Sequence, residues 1–125
     1  MGETFGDREL DVMGVLWEHG TGTVAEVRER LDASLAYTTV LTILRNLEAK
    51  GFLRHEEEGK AHRYFPLVDR QEASRSAVSR LIEKLFGGSP EMLITHLVGG
   101  QPLGEDELRR LQVLVEDRLG RGGKP

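Results

Sequence analysis

Short polar side chains recur along residues 36–51, AYTTVLTILRNLEAKG, and such side chains can take part in the recognition of nucleic acid. A threonine hydroxyl can hydrogen-bond to a phosphate, and its methyl group can contact the methyl group of thymine. Asparagine can pair with adenine, and arginine with guanine, through two hydrogen bonds each. Threonine is only a middling helix former, so its repeated use in an otherwise aliphatic segment requires another reason.

The spacing of these residues separates them from the aliphatic ones if the segment is a helix. At 100° per residue, Ala36, Ile43, Leu44 and Leu47 fall within about 60° of Val40, which predicts a buried stripe. The polar residues lie opposite the stripe or on its shoulder: Thr38, Thr39, Thr42, Arg45 and Asn46. This face fits a DNA major groove, and a solvent-exposed surface rich in threonine is the alternative interpretation.

Capping and turn residues define the elements around this helix. A first amphipathic helix is predicted over residues 7–18, and Thr23 with Glu26 has the spacing of a capping box that opens a second helix. The third helix follows, and two short runs around Gly59 predict a β-hairpin over residues 52–67. Two helices, a short link, a third helix and a hairpin make up a winged helix-turn-helix.

The predicted fold class is therefore mainly α with a small β-hairpin. We predict a winged-helix DNA-binding domain over residues 1–68, a helical dimerisation region over 69–120 and a disordered tail over 121–125. In a winged helix the third helix enters the major groove, and the hairpin, or wing, touches flanking DNA.

Two basic residues of the hairpin are predicted DNA contacts. Lys60 lies at the wing tip and Arg63 on the second strand, where each could approach a phosphate. The three consecutive glutamates at 56–58 favour the other interpretation, an ordinary solvated hairpin.

Amphipathic helices beyond the wing carry more apolar surface than a winged helix needs for its own core. The stripes lie in residues 73–86 and 108–119, and an uncovered apolar face of this size favours an isologous homodimer. The residues predicted to hold the dimer are Leu81, Ile82, Leu85, Leu108, Leu111, Leu114 and Val115.

Composition limits the other classes of function. The 125 residues carry a net charge of −4, so any positive patch must be made by folding. The absence of cysteine excludes disulfides and thiolate metal sites. With neither a signal-like start nor an apolar run of about 18 residues, the sequence predicts a cytoplasmic protein without a membrane partner.

The histidines do not predict an enzyme. His19, His55, His62 and His96 are scattered, without an acidic or nucleophilic partner at a suitable spacing. His55 and His62 could face each other across the hairpin as a metal or proton switch, but no carboxylate or third ligand is evident. No catalytic residue, cofactor or metal site is therefore predicted.

Five strings in order resemble the penicillinase-repressor family, the winged-helix regulators of the BlaI/MecI/CopY type. They span about Phe5 to Leu119 and read ELDVMGVLWEHG, TGTVAEVRERL, LAYTTVLTILRNLEAKGFL, EGKAHRYFPL and LFGGSPEMLITHL. The resemblance implies a homodimer that binds palindromic operators and represses genes. It places the groove-facing residues at Tyr37, Thr38, Thr39, Thr42, Arg45 and Asn46.

The resemblance also bears on induction. In the β-lactam branch a membrane sensor-protease triggers proteolysis of the repressor, which implies an inducing partner of that kind. The copper-responsive branch uses cysteine pairs near its C-terminus, and this chain has none.

The interpretation that competes with a DNA-binding repressor is a winged helix that contacts only proteins.

Overall fold

The computed structural model describes residues 5–100 and 102–122. Its elements in chain order are α1 (Asp7–His19), β1 (Gly22–Thr23), α2 (Val24–Arg30), α3 (Tyr37–Ala49), β2 (Leu53–Glu58), β3 (Ala61–Pro66), α4 (Arg70–Leu85), α5 (Pro90–Gly100) and α6 (Glu105–Gly122). The chain divides into two compact units, residues 1–78 and 79–125, and the division falls within α4. The predicted boundary after residue 68 lies earlier.

The core of the first unit is formed by α1, α2 and α3 against the sheet. From α3 it takes Val40, Ile43, Leu44 and Leu47, as the periodicity predicts. Ala36 does not belong to this stripe, because it precedes the helix as its N-cap and is exposed. The buried face fixes the rotation of α3 about its axis, so the opposite face must point outward.

Two glutamates at the third helical position hold the helix starts. The predicted capping box is confirmed: Thr23 Oγ1 accepts from the Glu26 amide at 3.2 Å, and Glu26 Oε1 accepts from the Thr23 amide at 3.1 Å. At α1, Glu9 Oε1 accepts from the amide of Gly6 at 2.9 Å. Each carboxylate satisfies an amide that the helix leaves without an internal partner.

The sheet has three antiparallel strands in the order β1-β3-β2. The predicted hairpin is confirmed, and Gly59 in its turn has a φ of 62°, which favours glycine. β1 was not predicted, since two residues carry no periodicity. A Cβ on Gly22 would lie 3.0 Å from Val27 Cγ2, so glycine lets β1 approach α2 closely.

The helices of the second unit differ from expectation at their ends. Two consecutive glycines at 99 and 100 would be expected to interrupt a helix, but both belong to α5, which ends at Gly100. α6 continues through Gly122, so two residues of the predicted disordered tail are helical, and residues 123–125 lie outside the described ones. The predicted fold class, mainly α with a small β-hairpin, is confirmed, and β1 extends the hairpin to a three-stranded sheet.

Candidate nucleic-acid interface

The outward face of α3 carries all the side chains predicted to face a groove. Thr38, Thr39, Thr42, Arg45 and Asn46 are exposed, and Tyr37 at the start of the helix is 45% exposed. The opposite face is fully packed into the core, so no rotation of the helix could hide them. The residues therefore form a single accessible surface with short side chains around one long cation.

Thr42 has its hydrogen-bonding capacity partly fixed by the helix. Its hydroxyl donates to the carbonyl oxygen of Thr38 one turn earlier, at 2.9 Å. Because the hydroxyl proton is used there, Thr42 can offer only an acceptor oxygen and a methyl group to a ligand. The periodicity gave no sign of this restriction.

Arg45 is the cation of this face. The described residues provide no hydrogen-bond or ion-pair partner for its side chain. A guanidinium without a protein partner keeps its paired donors available for a guanine edge or a phosphate.

The wing differs from expectation in how its cations are engaged. Lys60 lies in the turn between β2 and β3, is exposed and has no ion pair within the described part of the chain. The Arg54 guanidinium lies 4.3 Å from the centre of the Phe65 ring, and its Nη1 lies 2.7 Å from Glu56 Oε2. Arg54 is thus held within the wing, whereas no ion pair in the described residues holds Lys60.

Arg63, predicted as a phosphate contact, is held between two carboxylates. Its Nη1 and Nη2 donate to Glu26 at 3.1 and 3.2 Å, and its Nε and Nη2 donate to Glu58 at 2.7 and 3.0 Å. The hydrogen bonds from Arg63 lower the pKa of Glu26 and of Glu58, and those carboxylates in turn raise the pKa of Arg63. A phosphate contact would require a free Arg63 side chain. In the structure this side chain is held by Glu26 and Glu58.

Besides the Arg63 contact with α2, the wing has a contact with α3. His55 on β2 stacks on His62 of β3 with ring centres 4.2 Å apart and an interplanar angle of 13°, so the two do face each other. His55 Nδ1 also lies 2.7 Å from Glu48 Oε2, a carboxylate that the sequence analysis missed. In the described residues no group of three or more His, Asp or Glu side chains could hold a metal ion.

Two further contacts fix α1 against the rest of the first unit. Lys50 Nζ, just after α3, lies 2.8 Å from Glu9 Oε1, and Trp17 Nε1 donates to the carbonyl oxygen of Val68 at 2.8 Å. Burial alone would raise the pKa of Glu9, but the hydrogen bonds from Lys50 and the Gly6 amide outweigh it, so that the pKa is lowered. The contact from Lys50 thus holds the C-terminal end of α3 against α1.

These three glutamates predict acid sensitivity. Carboxyl groups whose pKa is lowered by folding stabilise the folded state above their ordinary pKa, about 4.3, and that contribution is lost as pH falls through the lower folded-state values. We therefore expect the free energy of unfolding to fall below about pH 4.3. Urea unfolding at a series of pH values and one protein concentration measures it.

A double variant supplies the control for the acid sensitivity. Glu26→Gln together with Glu58→Gln removes two of the three titrating groups, so its stability should fall less steeply with acid. An equal fall in this variant and the unmodified chain would assign the acid sensitivity to other groups.

The second unit exposes apolar side chains on every helix. From residue 79 onward, no described residue is buried. Six of the residues predicted to hold a dimer are exposed and Ile82 is half-buried, the exposed ones being Leu81, Leu85, Leu108, Leu111, Leu114 and Val115. Within the described ranges, no helix is both long and apolar enough to cross a membrane.

Comparison with known proteins gives consistent results over the sequence. A family model described as penicillinase repressor matches residues 5–117. The transcriptional regulator BlaI of Mycobacterium tuberculosis is 36% identical over 125 residues, covering 96% of this chain and 89% of that protein. A penicillinase repressor of Bacillus licheniformis is 26% identical over 117 residues, covering 92% and 91%.

A solved structure matches the first part of the chain. The solution structure of the DNA binding domain of the repressor BlaI superposes with a TM-score of 0.51 at 33% sequence identity. The match covers 58% of this chain and 93% of that domain.

Proposed function

Because the chain belongs to the penicillinase-repressor family, we propose that it is a sequence-specific DNA-binding repressor whose α3 enters the major groove of an operator. The observation that carries the proposal is the outward face of α3, where short polar side chains surround Arg45, a cation with no ion-pair partner among the described residues. The likeness of its winged helix to the DNA binding domain of BlaI supports it. The family is one of repressors and not of enzymes.

The chemistry of the face defines the form that recognition would take. Arg45 can bind a guanine edge through two hydrogen bonds, and Asn46 can bind an adenine. Thr42 would contribute a methyl contact or accept a hydrogen bond from a base amino group, since its own hydroxyl donates to the Thr38 carbonyl oxygen. Thr38, Thr39 and Tyr37 would contact phosphates or flanking bases, with Lys60 adding a phosphate contact from the wing.

We infer that a second copy of the chain covers the exposed apolar side chains of the second unit. The second unit has apolar side chains on every helix and no buried residue among those described, so an isologous partner is the simplest cover for them. Two copies would present two α3 helices to a palindromic operator, with half-sites about one helical turn apart. The net charge of −4 opposes binding to DNA phosphates. A dimer lessens this problem, since each half then needs few phosphate contacts.

Two expectations accompany this proposal. DNA as the ligand would place the protein in the cytoplasm. A sensor-protease as inducing partner, implied by the family resemblance, stays a prediction.

Selection from a pool of random duplex DNA at two salt concentrations tests the proposed function. We expect enrichment of a two-fold symmetric motif and an affinity that falls as salt rises, because bound phosphates release counterions. No enrichment together with no salt dependence would contradict DNA recognition and favour a winged helix that contacts proteins.

A further inference from the structure

We propose that Arg63 is a positioning residue of the DNA-binding site, which fixes the wing against α2 through Glu26 and does not itself contact phosphate. This inference rests on the DNA-binding function proposed above. It assigns a role to the Glu26–Arg63–Glu58 cluster, which we call the wing clamp.

The geometry of the wing clamp leaves Arg63 little capacity for another ligand. Four hydrogen bonds run from its guanidinium to the two carboxylates, two to each. Charge-assisted pairs of this bidentate form are among the stronger hydrogen bonds in proteins. The side chain of Arg63 is only 21% exposed, against 48% for Arg54 on the neighbouring strand. One of its five N–H donors remains, so a phosphate could form a bidentate pair with Arg63 only by displacing a carboxylate.

The wing clamp joins three elements at one guanidinium. Arg63 lies in β3 directly opposite Thr23 of β1, and Thr23 is the N-cap of α2. Glu26 caps that helix and accepts from Arg63 with the same carboxylate. Glu58 is the last residue of β2, next to the turn that carries Lys60. The clamp therefore connects the start of α2 to the wing tip and fixes where Lys60 lies.

The charge of the wing clamp argues against a direct role in binding phosphate. Two carboxylates accompany one guanidinium, so the cluster as a whole is negative and would repel DNA. The wing clamp can still raise the affinity for DNA by preorganisation. Because it holds the wing in place before binding, no free energy is lost in ordering the wing when DNA binds. Positioning and phosphate binding consequently predict opposite effects when Glu26 loses its charge.

The decisive variant is Glu26→Gln, tested on the duplex that the random pool yields. Glutamine at this position can still cap α2, so the helix start is kept while the charge that holds Arg63 is lost. Positioning predicts that affinity falls roughly tenfold, the order of one misplaced phosphate contact. A phosphate-binding Arg63 would instead be released and bind DNA more tightly.

Glu29→Gln is the matched control. Glu29 lies on the same helix, is exposed and has no ion pair in the described chain, so its replacement removes one negative charge without touching the wing clamp. An affinity of the Glu26 variant equal to or above that of the Glu29 variant would overturn the proposal. Arg63→Lys adds a second check, because lysine keeps the charge for a phosphate but cannot form the bidentate pair. Positioning predicts that this variant also binds more weakly.

A double-mutant cycle with Lys60→Ala separates positioning from a loss of stability. If the clamp acts through the wing tip, the loss caused by Lys60→Ala should be smaller in the Glu26→Gln background than in the unmodified chain. Additive losses would mean that the clamp does not act through Lys60. Circular dichroism under the binding conditions confirms that each variant is folded.

The experiments distinguish a wrong positioning role for Arg63 from a wrong proposal of DNA binding. If the unmodified chain bound no duplex in a salt-dependent way, DNA recognition would fail and the positioning role with it. Coupling between Glu26→Gln and Arg63→Gln in urea unfolding would still show that the link exists. DNA binding by the unmodified chain, with no loss in the Glu26 variant, would reject the positioning role alone.

Discussion

Replacing Arg45 with alanine is expected to weaken binding to the operator by about 1–3 kcal/mol and to relax base preference at one position of each half-site. Arg45 is the long cation on the outward face of α3 and has no partner in the described protein, so its donors are available for a base edge. Titration of the selected duplex, and of duplexes altered one base pair at a time, measures both effects.

Two control variants sharpen the interpretation of Arg45. Arg45→Lys keeps the charge but not the planar pair of donors, so it should retain much of the affinity while losing the base preference. Arg8→Ala, on the exposed side of α1 where Arg8 pairs with Asp11 at 3.7 Å, should leave both unchanged. Full base preference in the lysine variant would show that Arg45 contacts phosphate and does not read sequence.

Val115→Glu is expected to convert a dimer into monomers and to lower affinity for the two-half-site operator by a factor of about 10²–10⁴. Val115 is 57% exposed in the single chain, so glutamate there should not disturb the fold of one copy. In a dimer the same carboxylate would be buried in an apolar interface without a partner, which is costly. Sedimentation and titration of one- and two-half-site duplexes check the prediction, and affinity for one half-site should stay the same.

The matched control for the dimer is Val113→Glu. Val113 is 62% exposed on the same helix, but it lies about 200° around the helix from Val115, off the stripe formed with Leu108 and Leu111. This variant should remain dimeric. Dissociation of both variants would extend the interface around α6, whereas dissociation of neither would contradict a dimer held by this helix.

Local signals in the sequence were sufficient to predict most of the elements. The capping box at Thr23 and Glu26 and the aliphatic period of α3 depend on residues close together in the chain, and the structure bears both out. β1 escaped prediction because its two residues obtain their hydrogen bonds from β3, far along the chain. Gly99 and Gly100 indicated a break, but the cost of glycine in a helix is small enough for α5 to include them.

The candidate site was predicted in its residue types but not in its pairings. Lys60 and Arg63 look alike in the sequence as basic wing residues, yet only Arg63 has a carboxylate partner 37 residues away in Glu26. The pairing of His55 with Glu48 was missed for a similar reason, since it depends on how the wing packs against α3. Such contacts follow from tertiary packing, which residue spacing does not determine.

The double use of Glu9 and Glu26 has a consequence for how the first unit opens. Each carboxylate holds the first turn of its own helix and also an ion pair to another element, Lys50 after α3 or Arg63 in β3. Fraying of α1 or α2 at its start therefore requires the loss of a tertiary contact as well. The amides of these first turns should exchange with solvent in the same cooperative opening as the sheet and α3, so that the unit behaves as one foldon and not as separately fraying helices.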